Sequence, residues 1–165
     1  MQIRISHLGL CVTDMEASTR FYCEGLGFVS VSRWHHDPTM KDGPGDNALE
    51  VAEPTLHGHY IALGDVTLEL LWFEHPGHVG EPVRRPMNQL GLTHVALRVD
   101  DLNLVTQRIR EFGGTVLEDT RVDFELPHAK GSTVFCTDPD GTRLEINLRT
   151  YQEHGTPDPI TGLYL

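Results

Sequence analysis

The chain has 165 residues, enough for one compact domain or two small fused modules. Thirteen Lys and Arg stand against 24 Asp and Glu, giving a formal charge of −11 without any basic cluster, which argues against nucleic acid or an anionic membrane as partner. No apolar run approaches the roughly 20 residues of a membrane span, and the start Met1-Gln2-Ile3-Arg4-Ile5 lacks a signal-peptide core, so a cytoplasmic protein is expected.

Residues 2–12 read as a strand, with Leu8, Leu10 and Val12 on one face and His7, Gly9 and Cys11 on the other. Thr13 or Asp14 caps a helix over about 15–24, whose inner face is Ala17, Phe21 and Gly25 with Tyr22 beside them. Gly25-Leu26-Gly27 stops it, and 28–33 reads as a second strand. From 35 to 57 the pattern dissolves into a long loop punctuated by Pro38, Gly43, Pro44, Gly45 and Pro54. Strands follow over 59–63 and 66–73, joined by a Gly64-Asp65 turn. The second strand puts Leu68, Leu70 and Trp72 on one face and Thr67, Glu69, Leu71 and Phe73 on the other.

After a Pro/Gly-rich linker over 75–91, the strand beginning at about Leu92 has Val95, Leu97 and Val99 on one side and His94, Ala96 and Arg98 on the other. Asp101 caps a helix with the face Leu102, Val105, Ile109 and Phe112, and Gly113-Gly114 ends it. A strand begins over 115–118, a loop spans 119–131, and strands follow over 133–137 and 143–149 around the turn Asp138-Pro139-Asp140-Gly141. The tail from about 150 has no periodicity. Three cysteines, Cys11, Cys23 and Cys136, are widely spaced without a CxxC, which speaks against a disulfide framework or a zinc knuckle.

The two halves repeat. His7 precedes Asp14 as His94 precedes Asp101, and Gly27 follows His7 as Gly114 follows His94. Each half closes on a similar strand, Leu68-Glu69-Leu70-Leu71 and Leu144-Glu145-Ile146-Asn147. Each module is therefore strand, helix, strand, strand, strand. The expected divisions are an N-terminal module at 1–74, a linker at 75–91, a C-terminal module at 92–149 and an irregular tail at 150–165. If two such curved mixed sheets pair, their polar faces enclose one cavity, and His7, Glu69, His94 and Glu145 converge in it. Neutral imidazoles and carboxylates in that number suit one divalent transition metal. The His57/His59 pair could also bind metal but has no echo in the second half. His35, His36, His75, His78, His128 and His154 are expected in loops, and Trp72 and Phe73 in the wall or core.

The segments HLGLCVTDMEASTRFYCEGLGF, VTLELL, LTHVALRVDDL with REFGG, and FCTDPDGTRLEI resemble the vicinal oxygen chelate superfamily over residues 3–149. The resemblance implies an α+β fold of paired βαβββ modules around one cavity. It also implies metal-ligand roles for His7, Glu69, His94 and Glu145, in a set similar to glyoxalase I and methylmalonyl-CoA epimerase. The implied activity is that of a lyase or isomerase moving a proton next to a carbonyl by way of a chelated enediolate or enolate. Glu145 would move the proton with Glu69 as its partner, and Arg98 would anchor a substrate carboxylate or phosphate. The ion would be nickel, cobalt, zinc or manganese, and the substrate a small molecule with vicinal oxygens. Two alternatives stay open: an iron(II) extradiol-type dioxygenase and a non-catalytic small-ligand-binding protein. Where glyoxalase I enzymes carry an Arg four residues after the first ligand, this chain has Cys11, so that position does not imply glutathione. Glu53 is a possible counterpart of the epimerase base. A homodimer is expected from the resemblance, with the site inside one chain or across the interface.

Overall fold

A computed structural model describes residues 2–40, 48–126 and 129–151. The chain divides into two compact units, Met1–Pro82 and Val83–Leu165. His128, His154 and the tail beyond Tyr151 lie outside the described residues.

The first unit runs β1 (Leu8–Cys11), α1 (Met15–Thr19) continuing as a π-helical turn (Arg20–Gly25), β2 (Val29–His36), β3 (Thr55–Leu63) and β4 (Val66–His75). The second runs β5 (Val95–Arg98), α2 (Leu102–Glu111), β6 (Thr115–Leu126), β7 (Ala129–Thr137) and β8 (Arg143–Tyr151). The sheets have the same order, β1-β4-β3-β2 and β5-β8-β7-β6. In each, the first strand pairs parallel with the last and the other pairings are antiparallel. The fold is α+β, as the repeat implies.

The helices start where the sequence expects. Asp14 Oδ1 accepts from the amides of Glu16 and Ala17 at 2.9 Å each, and Asp101 Oδ1 accepts from the Leu104 amide at 2.9 Å. They stop at Gly27 and Gly113, whose positive φ angles, 82° and 93°, suit glycine. Helix α1 packs on β4, and its π-helical extension buries Phe21 and Tyr22. Beneath it lie Leu68, Leu70 and Ile61, all buried. Helix α2 lays Leu102, Thr106 and Ile109 against the second sheet, over Leu144, Ile146 and Val134. Thr106 takes a central place on the buried face that the apolar pattern passes over, and its hydroxyl is satisfied by donating to the Asn103 carbonyl at 3.0 Å.

Several elements differ in extent from the sequence expectation. The loop expected at 119–131 lies largely in strands, because β6 and β7 form a long hairpin with Val122 opposite Thr133 and Phe124 opposite Gly131. Strand β6 is an edge, mostly exposed, so it carries no buried face for an alternating pattern to mark. Strands β2 and β3 run further into the expected 35–57 loop, which makes His35 and His36 strand residues paired with His57 and Leu56. His75 closes β4 and is likewise not in a loop. The first strand is shorter than expected, since its pairing with β4 begins only at Leu8.

Candidate functional site

The same small constellation occurs in each unit. The histidine stands one residue before its strand's first paired position, His7 before β1 and His94 before β5. The glutamate sits in the central strand β4 or β8. In the first unit Glu69 is opposite Gly9 on one neighbouring strand and Tyr60 on the other. In the second, Glu145 is opposite Ala96 and Phe135. The small residue leaves room for the imidazole two positions earlier on the same face. His7 Nε2 lies 3.1 Å from Glu69 Oε2, and His94 Nε2 lies 3.1 Å from Glu145 Oε2. Each imidazole meets an aromatic ring edge-to-face, His7 with Tyr60 at 5.4 Å and His94 with Phe135 at 5.5 Å.

The remaining polar atoms of each pair are also held. Ser6 Oγ is 3.1 Å from His7 Nδ1, and Thr93 Oγ1 is 2.9 Å from His94 Nδ1. A hydroxyl both donates and accepts, so it supports either imidazole tautomer and leaves Nε2 aimed at the carboxylate. Trp34 Nε1 donates to Glu69 Oε1 at 3.2 Å. The Tyr60 hydroxyl also donates to Glu69, and that bond, with burial second, raises the Tyr60 pKa above the ordinary tyrosine range. Glu145 Oε1 receives Thr133 Oγ1 at 3.1 Å and, at 3.5 Å, Asn147 Nδ2. Glu69 is therefore the more tightly fixed carboxylate and Glu145 the more open, with side chains 10% and 19% exposed.

The indole of Trp34 reaches Glu69 because Gly58 lies beneath it. A Cβ on Gly58 would sit 2.1 Å from Trp34 Cε2. Ser6, Thr93, Trp34, Tyr60 and Phe135 all escape sequence reasoning. The only trace of the hydroxyl pair is that each candidate histidine follows a Ser or Thr, and the aromatic partners belong to strands far along the chain.

The structure thus brings His7 to Glu69 and His94 to Glu145. Among the described residues no group of three or more His, Cys, Asp or Glu side chains is arranged to hold a metal ion. Arg98 is exposed on the same strand face as His94, with Asn147 opposite it. Cys11 is exposed opposite Leu71. Glu53 is exposed in a bend with φ 47°. The His57/His59 pair does not act together. His57 Nε2 pairs with Glu74 at 2.9 Å and its ring stacks on Trp72, whereas buried His59 lies between Thr19 Oγ1 and Ser30 Oγ. His36 is buried. No described helix is long and apolar enough to cross a membrane.

Two tandem βαβββ units, each with a His–Glu pair on the sheet face away from its helix, define the vicinal oxygen chelate fold. The chain belongs to the Glyoxalase/Bleomycin resistance protein/Dioxygenase superfamily, whose family model matches residues 4–146. It is 31% identical over 143 residues to the uncharacterized protein YaeR of Escherichia coli, covering 87% of this chain and 94% of that one. It is 25% identical over 146 residues to the glutathione transferase FosA of Serratia marcescens, covering 87% and 79%. A glyoxalase family protein from Bacillus cereus superposes with a TM-score of 0.75 at 15% identity, covering 90% and 95%.

Proposed function

We propose that this protein is a divalent-metal-dependent lyase or isomerase that transfers a proton next to a carbonyl, with His7, Glu69, His94 and Glu145 as the four protein ligands. The observation that carries this reading is the duplicated pair, with the same atoms 3.1 Å apart in both units. Two donors each about 2.1 Å from a shared ion and at right angles stand about 3.0 Å apart, so either pair fits adjacent coordination positions. Neutral imidazole and carboxylate, each held by its own hydrogen bonds, are the donor chemistry of a nickel, cobalt, zinc or manganese site. Each pair supplies half of the set, so the complete site requires a first module and a second module to meet, within one chain or across a homodimer. When bound, the ion would polarise two vicinal oxygens of the substrate as a Lewis acid.

The chain's own groups divide the remaining work. Glu69, gripped by Trp34 and Tyr60, stays in place as a ligand. Glu145, the more open carboxylate, takes the proton from the carbon beside the carbonyl and returns it. Arg98 anchors a carboxylate or phosphate on the substrate by a bidentate contact.

Metal analysis of protein purified without chelators tests the centre. The expected result is one equivalent of a non-iron divalent ion, lost in His94→Ala. Stoichiometric iron with oxygen consumption on a catechol would move the assignment to a dioxygenase, and a ligand bound tightly without any metal would move it to a binding protein. Glu145→Gln should fold normally and lose turnover, and full activity in that variant would sink the assignment of the base.

A further inference from the structure

Beside Glu69 the first unit has a cavity of about 420 Å³, within the size range of small-molecule sites, lined by Trp34, Ala48, Leu49, Tyr60, Glu69 and Leu71. Among the described residues, its only charged lining group is Glu69. The two lining side chains that carry a donor, the Trp34 indole and the Tyr60 hydroxyl, both spend it on Glu69. What they and Leu71 and Leu49 have left to offer is apolar surface.

The strand register sharpens the point, because the two units differ here despite their repeat. One step past each glutamate on the same sheet face, the first unit has the row Cys11, Leu71, Gly58, with the Trp34 ring covering Gly58. The second has the row Arg98, Asn147, Thr133. Equivalent positions are thus apolar in one unit and polar or cationic in the other.

We infer that the cavity is the specificity pocket of the site, and that it receives an uncharged aryl-sized group attached to the oxygens that chelate the metal. This rests on the proposed metal centre at Glu69. A flat ring would lie against the indole, the Tyr60 ring and Leu71. None of the six described lining residues is a cation, so they offer a substrate carboxylate no ion pair.

The test uses cobalt(II)-loaded protein and two probes that present the same pair of vicinal oxygens, benzohydroxamate and acetohydroxamate. Affinity is read from the visible spectrum of the cobalt. Burying the ring should make benzohydroxamate bind about tenfold more tightly. Leu49→Glu and Leu71→Ala, at positions outside the four proposed ligands, should each erase most of that preference and leave acetohydroxamate binding unchanged. Equal affinities for the two probes, or a preference that survives both substitutions, would overturn the pocket assignment while cobalt retention upholds the metal centre. Failure to retain cobalt would overturn the centre, and this inference with it.

Discussion

Gly58→Ala is a small change with a large expected effect. The added methyl carbon would lie 2.1 Å from Cε2, 2.2 Å from Nε1 and 2.5 Å from Cζ2 of Trp34. Non-bonded carbons settle at about 3.5–4.0 Å, so the indole must retreat by more than about 1 Å. Its 3.2 Å bond to Glu69 Oε1 then stretches past hydrogen-bonding distance. A hydrogen bond to a charged group is worth about 1.5–3 kcal/mol. Trp34 is half-buried, which favours the lower end, and the displaced ring adds strain, so a loss of about 2 kcal/mol is expected. The assay is urea denaturation, with Trp34→Phe for comparison because it removes the N–H and keeps most of the ring. Because Trp34 orients a proposed ligand, both variants should also bind cobalt about tenfold more weakly in a chelator competition. In the double variant the two affinity effects should not add, since both act through one bond. Wild-type stability and cobalt affinity in Gly58→Ala would refute the reasoning.

Three further outcomes follow from the geometry. Thr93→Ala and Ser6→Ala should each weaken metal binding by about tenfold, and Thr93→Ser should restore it; unchanged chelator competition would show that the hydroxyls do not orient the imidazoles. His59 is buried, and that burial, with the Arg33 charge second, holds its pKa below the ordinary histidine value against the opposing pull of Glu16. The unfolded chain therefore takes up the proton first, so the contribution of neutral His59 is complete above about pH 6.5. It is lost as the pH falls from there through the folded pKa, at up to about 1.4 kcal/mol per pH unit. His59→Gln should flatten that part of the acid slope, and an unaltered slope would refute the assignment. Finally, if the site is built across a dimer, mixing and refolding His7→Ala with His94→Ala should recover metal binding, because one site of each mixed dimer is intact. No recovery places the site within one chain.

The duplicated histidine and glutamate were legible because each lies in, or one residue before, a strand whose two faces differ in polarity. Leu8 and Leu10 alternate with His7 and Gly9, and Leu144 and Ile146 with Glu145, so periodicity alone assigns the faces. The caps at Asp14 and Asp101 were legible because a cap is a local device. Trp34, Tyr60 and Phe135 were not, because their roles arise from register between strands many residues apart. The β6–β7 hairpin was missed for a related reason: an edge strand exposed along most of its length leaves no hydrophobic rhythm. Likewise His57 and His59, two apart on one strand, resemble a chelating pair in one dimension, yet one meets Glu74 and the other is enclosed by Thr19 and Ser30.

The two members of each His–Glu pair are anchored unequally. Glu69 and Glu145 lie in strands laddered on both sides. His7 and His94 stand just ahead of four-residue edge strands, and residues 2–7 before β1 are exposed. The glutamate is thus held by the backbone ladder, whereas the histidine is held by its side-chain partners. An ion bound as proposed would therefore also fasten the chain entering β1 and β5 to the central strands β4 and β8.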